Sequence, residues 1–170
     1  MESTYTFQQL FAEQLSDVYV AEQQIEKILA PIIEVTSSGK LREAFGIYQL
    51  EVTHHLEGLK AIFEELQIPV QQNNTSPVSG ILAEVARVMK HRGNSAVKDA
   101  SLIAVVQCLQ HFKMATYGTL RTFARHLSYN KAMDFLQRAL ISEHEADRKL
   151  THLAEGGLFT SGINDEALKK

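Results

Sequence analysis

Four long stretches of this chain repeat apolar residues every three or four positions, and only three prolines (Pro31, Pro69, Pro77) punctuate all 170 residues. A period near 3.6 maintained over some 25 residues is the mark of an amphipathic α-helix that must bury one face. The first stretch, about 7–36, carries Phe11, Leu15, Val18, Leu29 and Ile33, with Pro31 expected to kink its end. Ser37-Ser38-Gly39 then breaks the chain. A second helix, about 40–66, carries Leu41, Ala44, Tyr48, Leu59, Ile62 and Leu66. A third, about 95–127, carries Ile103, Val106, Met114, Tyr117 and Leu120, and a fourth, about 131–154, carries Met133, Leu136, Leu140, Leu150 and Ala154.

The connections set the topology. Ser37-Ser38-Gly39 and Ser128-Tyr129-Asn130 are short turns, so each joins an antiparallel pair. Between the pairs lies a segment from Gln67 to Asn94, with a polar run from Gln71 to Pro77 and then a short amphipathic helix, about 78–91. It is too long for a hairpin loop and long enough to cross the bundle. The expectation is therefore an all-α, ferritin-like four-helix bundle in which one long crossover carries a short extra helix between helices 2 and 3. A single domain, 1–170, accounts for the chain, with residues 156–170 expected as a loose tail.

Charge and composition narrow the function classes. A net charge of −3, with no basic cluster longer than Lys90-His91-Arg92, argues against nucleic acid as a partner. No apolar run reaches the ~18 residues that span a bilayer, and the polar start Met1-Glu2-Ser3-Thr4 does not read as a secretory signal. The single cysteine, Cys108, cannot form an internal disulfide; it reads as a small core residue, and a cytoplasmic setting follows as the expectation.

The residues that break the apolar stripes carry the chemistry. Glu22 falls in the middle of the first stripe, Glu51 beside the second, Gln110 on the third, and Glu143 with Asp147 on the fourth. Burying one unpaired carboxylate costs several kcal/mol. A polar group at mid-length on every helix therefore points to carboxyls that stay protonated or share cations, and oxygen donors with imidazole suit iron or manganese. Glu51-Val52-Thr53-His54 fits a Glu-x-x-His pattern, which by itself is too short to carry weight. His55, four residues from Glu51, lies nearer the stripe than His54, so spacing leaves the choice of imidazole open. His111 and His144 flank their stripes as further candidates.

The run Leu15-Ser16-Asp17-Val18-Tyr19-Val20-Ala21-Glu22, the Glu51-x-x-His54 segment and Ala115-Thr116-Tyr117-Gly118-Thr119-Leu120 resemble the YciE/YciF-type ferritin-like proteins of bacteria. The likeness runs from about Phe7 to Ala154. It implies a dinuclear metal centre, a homodimer and a link to stress responses. Matched position by position, it implies metal ligation by Glu22, Glu51, His54, Glu143 and Asp147. The third helix departs from the pattern: Gln110-His111-Phe112-Lys113 stands where the family has Glu-His-aromatic-Glu. Two functions follow as expectations. One is a dimetal-carboxylate protein holding two divalent ions (iron or manganese, in full or in part) and acting in stress protection, with ferroxidase- or peroxidase-like oxidoreductase chemistry if it is an enzyme. In that case Tyr48 or Tyr117 donates an electron or fills core. The other is a non-catalytic stress or interaction protein whose site has degenerated, with Gln110 and Lys113 neutralising the carboxylates.

Overall fold

The computed structural model describes residues 5–71 and 76–169, so residues 72–75 of the expected polar run lie outside the described residues. Among the described residues six helices follow in order: α1 (Phe7–Val35), α2 (Gly39–Leu66), α3 (Ser79–Met89), α4 (Ser95–His126), α5 (Asn130–Glu155) and α6 (Ile163–Leu168), with a ribbon of two two-residue strands, β1 (Gly156–Gly157) and β2 (Thr160–Ser161), before the last. α1 lies against α2 and α4, and α5 lies against α4 and α2, which closes a four-helix ring. The crossover between α2 and α4 carries α3, packed on α4 and α1. This is the all-α, ferritin-like bundle expected from the periodicity.

Local chemistry explains where the helices start and stop. Thr6 and Gln9 cap α1 reciprocally: Gln9 N donates to Thr6 Oγ1 and Thr6 N donates to Gln9 Oε1. Asn94 Oδ1 accepts from Ala96 N and Val97 N to open α4. The turn between α1 and α2 is fastened from elsewhere: buried Asp99 of α4 accepts from Ser37 N at 3.0 Å and Ser38 N at 2.7 Å. α2 and α4 both end with a non-glycine residue in the left-handed region, Gln67 at φ 53° and Ser128 at φ 60°. There Ile68 N bonds back to Phe63 O and Tyr129 N to Ala124 O, which satisfies carbonyls that the helix end orphans. Pro31 lies inside α1, on its exposed side.

At Gly58 α2 lies directly against the Phe135 ring of α5. A Cβ there would lie 1.9 Å from the Phe135 ring. Two expectations are corrected. Residues 156–169 are not a loose tail: the ribbon turns the chain back, and Ile163 is buried as α6 packs on α4 and α5. Cys108 is exposed, not core, because it falls off the inward stripe of α4. Among the described residues no helix is long and apolar enough to cross a membrane.

The core is in two parts. One apolar cluster includes Ala21, Ile25, Leu29, Val52, Val106, Leu109 and Leu150. The other includes Phe11, Leu15, Val18, Leu59, Tyr117, Leu120, Leu136 and Ala139. Along each helix the break between them falls at one level: between Val18 and Ala21 to Ile25, between Val52 and Leu59, between Leu109 and Tyr117, and between Ala139 and Leu150. The polar residues of the bundle sit in this gap.

Candidate functional site

Helical register sets which side chains enter the gap. On α1 the spacing Leu15, Val18, Glu22, Ile25, Leu29 keeps Glu22 on the inward stripe, and it is fully buried. On α2 the inward series is Tyr48, Val52, His55, Leu59, so His55 is buried. His54, about 100° away, is exposed. On α4 the series Val106, Gln110, Lys113, Tyr117 delivers an amide and an ammonium, both with no exposed surface. On α5 it is Leu136, Ala139, Glu143 and Leu150.

Lys113 is the hub. Its Nζ lies 2.9 Å from Glu22 Oε2 and 2.5 Å from Glu143 Oε1, and donates to Tyr48 Oη at 3.2 Å. The ammonium thus meets three oxygens, one through a hydrogen bond and two as ion-pair contacts. Tyr48 Oη in turn donates to Glu143 Oε2 at 3.1 Å, and Tyr117 Oη donates to Glu22 Oε1 in a short bond. His55 Nδ1 lies 3.2 Å from Glu22 Oε1 and 3.4 Å from Glu143 Oε1, a position that suits a donor serving both carboxylates. One ammonium, one imidazole and two phenols thus surround two buried carboxylates.

Electrostatics follow from this geometry. Burial pushes Glu22 up, but the Lys113 charge and the bonds from His55 and Tyr117 more than offset it, leaving the carboxyl below its ordinary value. Glu143 ends above its ordinary value, because burial and the nearby Glu22 charge outweigh Lys113. The two carboxylates share one ammonium and titrate as a pair, Glu22 the stronger acid and Glu143 the weaker. Burial alone would lower Lys113, yet the charges of Glu143 and Glu22 hold it above its ordinary value, so it stays an ammonium at neutral pH. Burial, followed by the carboxylate charges, pushes Tyr48 and Tyr117 well up, which keeps both phenols protonated.

The ammonium covers Glu22 Oε2 and Glu143 Oε1 at ion-pair distance. The Gln110 amide is different: neither its Oε1 nor its Nε2 has a partner. Of the residues expected at the centre, Glu22 and Glu143 converge there, and His55 takes the inward position instead of His54. Glu51 does not join them. It is half-buried, its Oε2 accepts from Ser142 Oγ at 2.8 Å, and it lines an open pocket between α2 and α5. Asp147 is also outside the cluster, with its Oδ1 accepting from Gln107 Nε2 at 3.0 Å and lying 3.3 Å from the exposed His111. His144 is exposed. Glu22, His55 and Glu143 each offer one ligand atom, and these atoms lie within 4.8 Å of one another, close enough to hold one metal ion.

Residues 6–167 match the family described as Domain of unknown function (DUF892). The chain belongs to the DUF892 family. It is 36% identical over 151 residues to Protein YciF of Escherichia coli (strain K12), covering 88% of this chain and 90% of that protein. Its fold matches the crystal structure of the E. coli stress protein YciF with a TM-score of 0.85 and 32% identity, covering 100% of both chains. It also matches YcfI, a proposed structural protein of Rhodopseudomonas palustris, with a TM-score of 0.84 and 29% identity over 90% of this chain and 98% of that one.

Proposed function

We propose that this DUF892 protein serves stress protection through a metal-independent bundle, in which the Lys113 ammonium takes the place that cations would hold in a dinuclear centre. The observation that carries the reading is the pair of contacts from Lys113 Nζ to Glu22 and Glu143, made where none of the three is exposed. The donor set does not fit two ions. The cationic position between the two carboxylates is filled from the chain itself, Gln110 offers a neutral amide where a carboxylate would bridge, and Glu51 and Asp147 lie outside the Glu22, His55 and Glu143 cluster. The similarity to a stress protein supports the stress role, and the similarity to a proposed structural protein supports a non-catalytic one.

Aerobic titration with Fe²⁺, followed by absorbance and by melting curves with and without chelator, tests this. The reading expects no ferric absorbance beyond that of buffer and no change in melting. Metal-dependent melting would contradict it, since a site-bound ion at about 100 times its dissociation constant stabilises by about 2.7 kcal/mol.

A second reading has one observation in its favour: Glu22, His55 and Glu143 form a compact set of three ligand atoms. In that reading Lys113 withdraws and one ion enters. Simultaneous loss of the ion pair and gain of metal on titration would distinguish it. The resemblance also carries the expectation of a homodimer, which sedimentation equilibrium tests.

A further inference from the structure

A pocket of about 260 Å³ opens between α2 and α5, lined on its apolar side by Ala44, Ile47, Ala146 and Leu150. Its polar wall holds Glu51, Ser142, Glu145, Lys149, Tyr48 and, at the buried end, Gln110. Gln110 is the informative residue. A fully buried amide normally has its hydrogen bonds satisfied, and leaving one unmade costs free energy with nothing gained. Here both the carbonyl oxygen and the amino group are unpartnered, on a side chain that meets a cavity. The amide needs one donor and one acceptor from whatever enters.

Charge narrows the occupant. Of the three charged groups at the pocket Glu145 and Lys149 are exposed, so the half-buried Glu51 carboxylate sets the local charge and a single positive charge neutralises it. Glu51 has one oxygen held by Ser142, leaving the other to accept from a cation. The volume lies at the small end of ligand pockets, and the four aliphatic side chains favour a compact apolar body.

We infer that this pocket binds a small, singly charged primary amine carrying an amide or hydroxyl next to its ammonium, on a short branched aliphatic body. The ammonium donates to Glu51 and to Gln110 Oε1. The neighbouring oxygen accepts from Gln110 Nε2, and the aliphatic part lies against Ile47 and Leu150. Tyr48 lines this pocket and also bonds Lys113 and Glu143, whereas Glu22, His55 and Glu143, the set that could hold a metal ion, do not line it.

L-leucinamide is the probe, with 4-methylpentanamide as the control that keeps the amide and the aliphatic body but lacks the ammonium. Calorimetric titration just below neutral pH should give saturable binding of L-leucinamide and none of the control. Glu51→Gln should weaken binding roughly tenfold or more, the value of a hydrogen bond to a charged group. Gln110→Met, nearly equal in volume, should remove binding and raise the melting temperature of the free protein. No saturable binding by the wild-type protein overturns the inference. So does binding that both substitutions leave unchanged, or equal binding of the control.

Discussion

Replacing Lys113 with Met removes the ammonium while keeping a long, flexible chain of similar size in the core. Two carboxylates, both fully buried, then face each other with only His55 and the phenols of Tyr48 and Tyr117 to stabilise them. Removing one partner of a buried ion pair costs about 3–5 kcal/mol, since the survivor is left uncompensated. At roughly 2–4 °C per kcal/mol for a chain of this length, the melting temperature should fall by about 6–20 °C near neutral pH. The loss should depend on pH in a defined direction. Without Lys113 both carboxylates are raised in the folded state, which then binds more protons than the unfolded chain, so the variant regains stability as pH falls from about 8 to about 5. Urea denaturation of both proteins across that range, followed by circular dichroism, measures the difference. A loss below about 1 kcal/mol, the value typical of exposed pairs, or a deficit that does not shrink on acidification, would refute a buried Lys113 hub.

Four further outcomes follow from the same geometry. Gln110→Glu places another carboxylate in the gap and should destabilise by several kcal/mol, as denaturant midpoints would report. Asp99→Ala leaves the Ser37 and Ser38 amides without their carboxylate and should cost about 1.5–3 kcal/mol in thermal melting. Gly58→Ala drives a methyl into the Phe135 ring and should cost about 1–3 kcal/mol, with Phe135 displaced in a crystal structure. In the wild-type protein Glu22 is depressed, so its stabilisation is present above the ordinary carboxylate value and is lost as pH falls through its lower folded value. Glu143 is raised and contributes with the opposite sign. Carboxylate-resolved NMR titration should therefore show Glu143 taking up its proton first, before the helices melt.

The architecture was legible because a 3.6-residue period over long stretches leaves one way to bury four stripes, and the long Gln67–Asn94 connection selects the crossover. The level of the polar layer was legible too, since Glu22, Gln110 and Glu143 break their stripes at matching positions. What spacing left open was settled by register within a single turn. His54 and His55 are neighbours in sequence but about 100° apart on α2, and the Tyr48, Val52, Leu59 series admits only His55. Spacing put Glu51 beside its stripe and Asp147 on its own, yet they bond Ser142 and Gln107 outside the cluster, and no spacing rule encodes those partners. Lys113 falls in the series Val106, Gln110, Lys113, Tyr117, a signal visible in the sequence. Its bridging of both carboxylates needed the distances. The ordered C-terminal segment was missed because Gly and charge read as loose chain, while Ile163 alone anchors it among the buried residues of α6.

Metal content tests the central claim most directly. The protein, purified without chelator, would be equilibrated anaerobically with excess Fe²⁺, passed through a desalting column and analysed by plasma mass spectrometry beside a Gln110→Glu, Lys113→Glu double variant. A bundle centre closed by Lys113 predicts only trace metal in the wild-type protein and a clear gain in the double variant, where the ammonium is gone and the carboxylates restored. Stoichiometric iron in the wild-type protein, retained through desalting, would contradict the account.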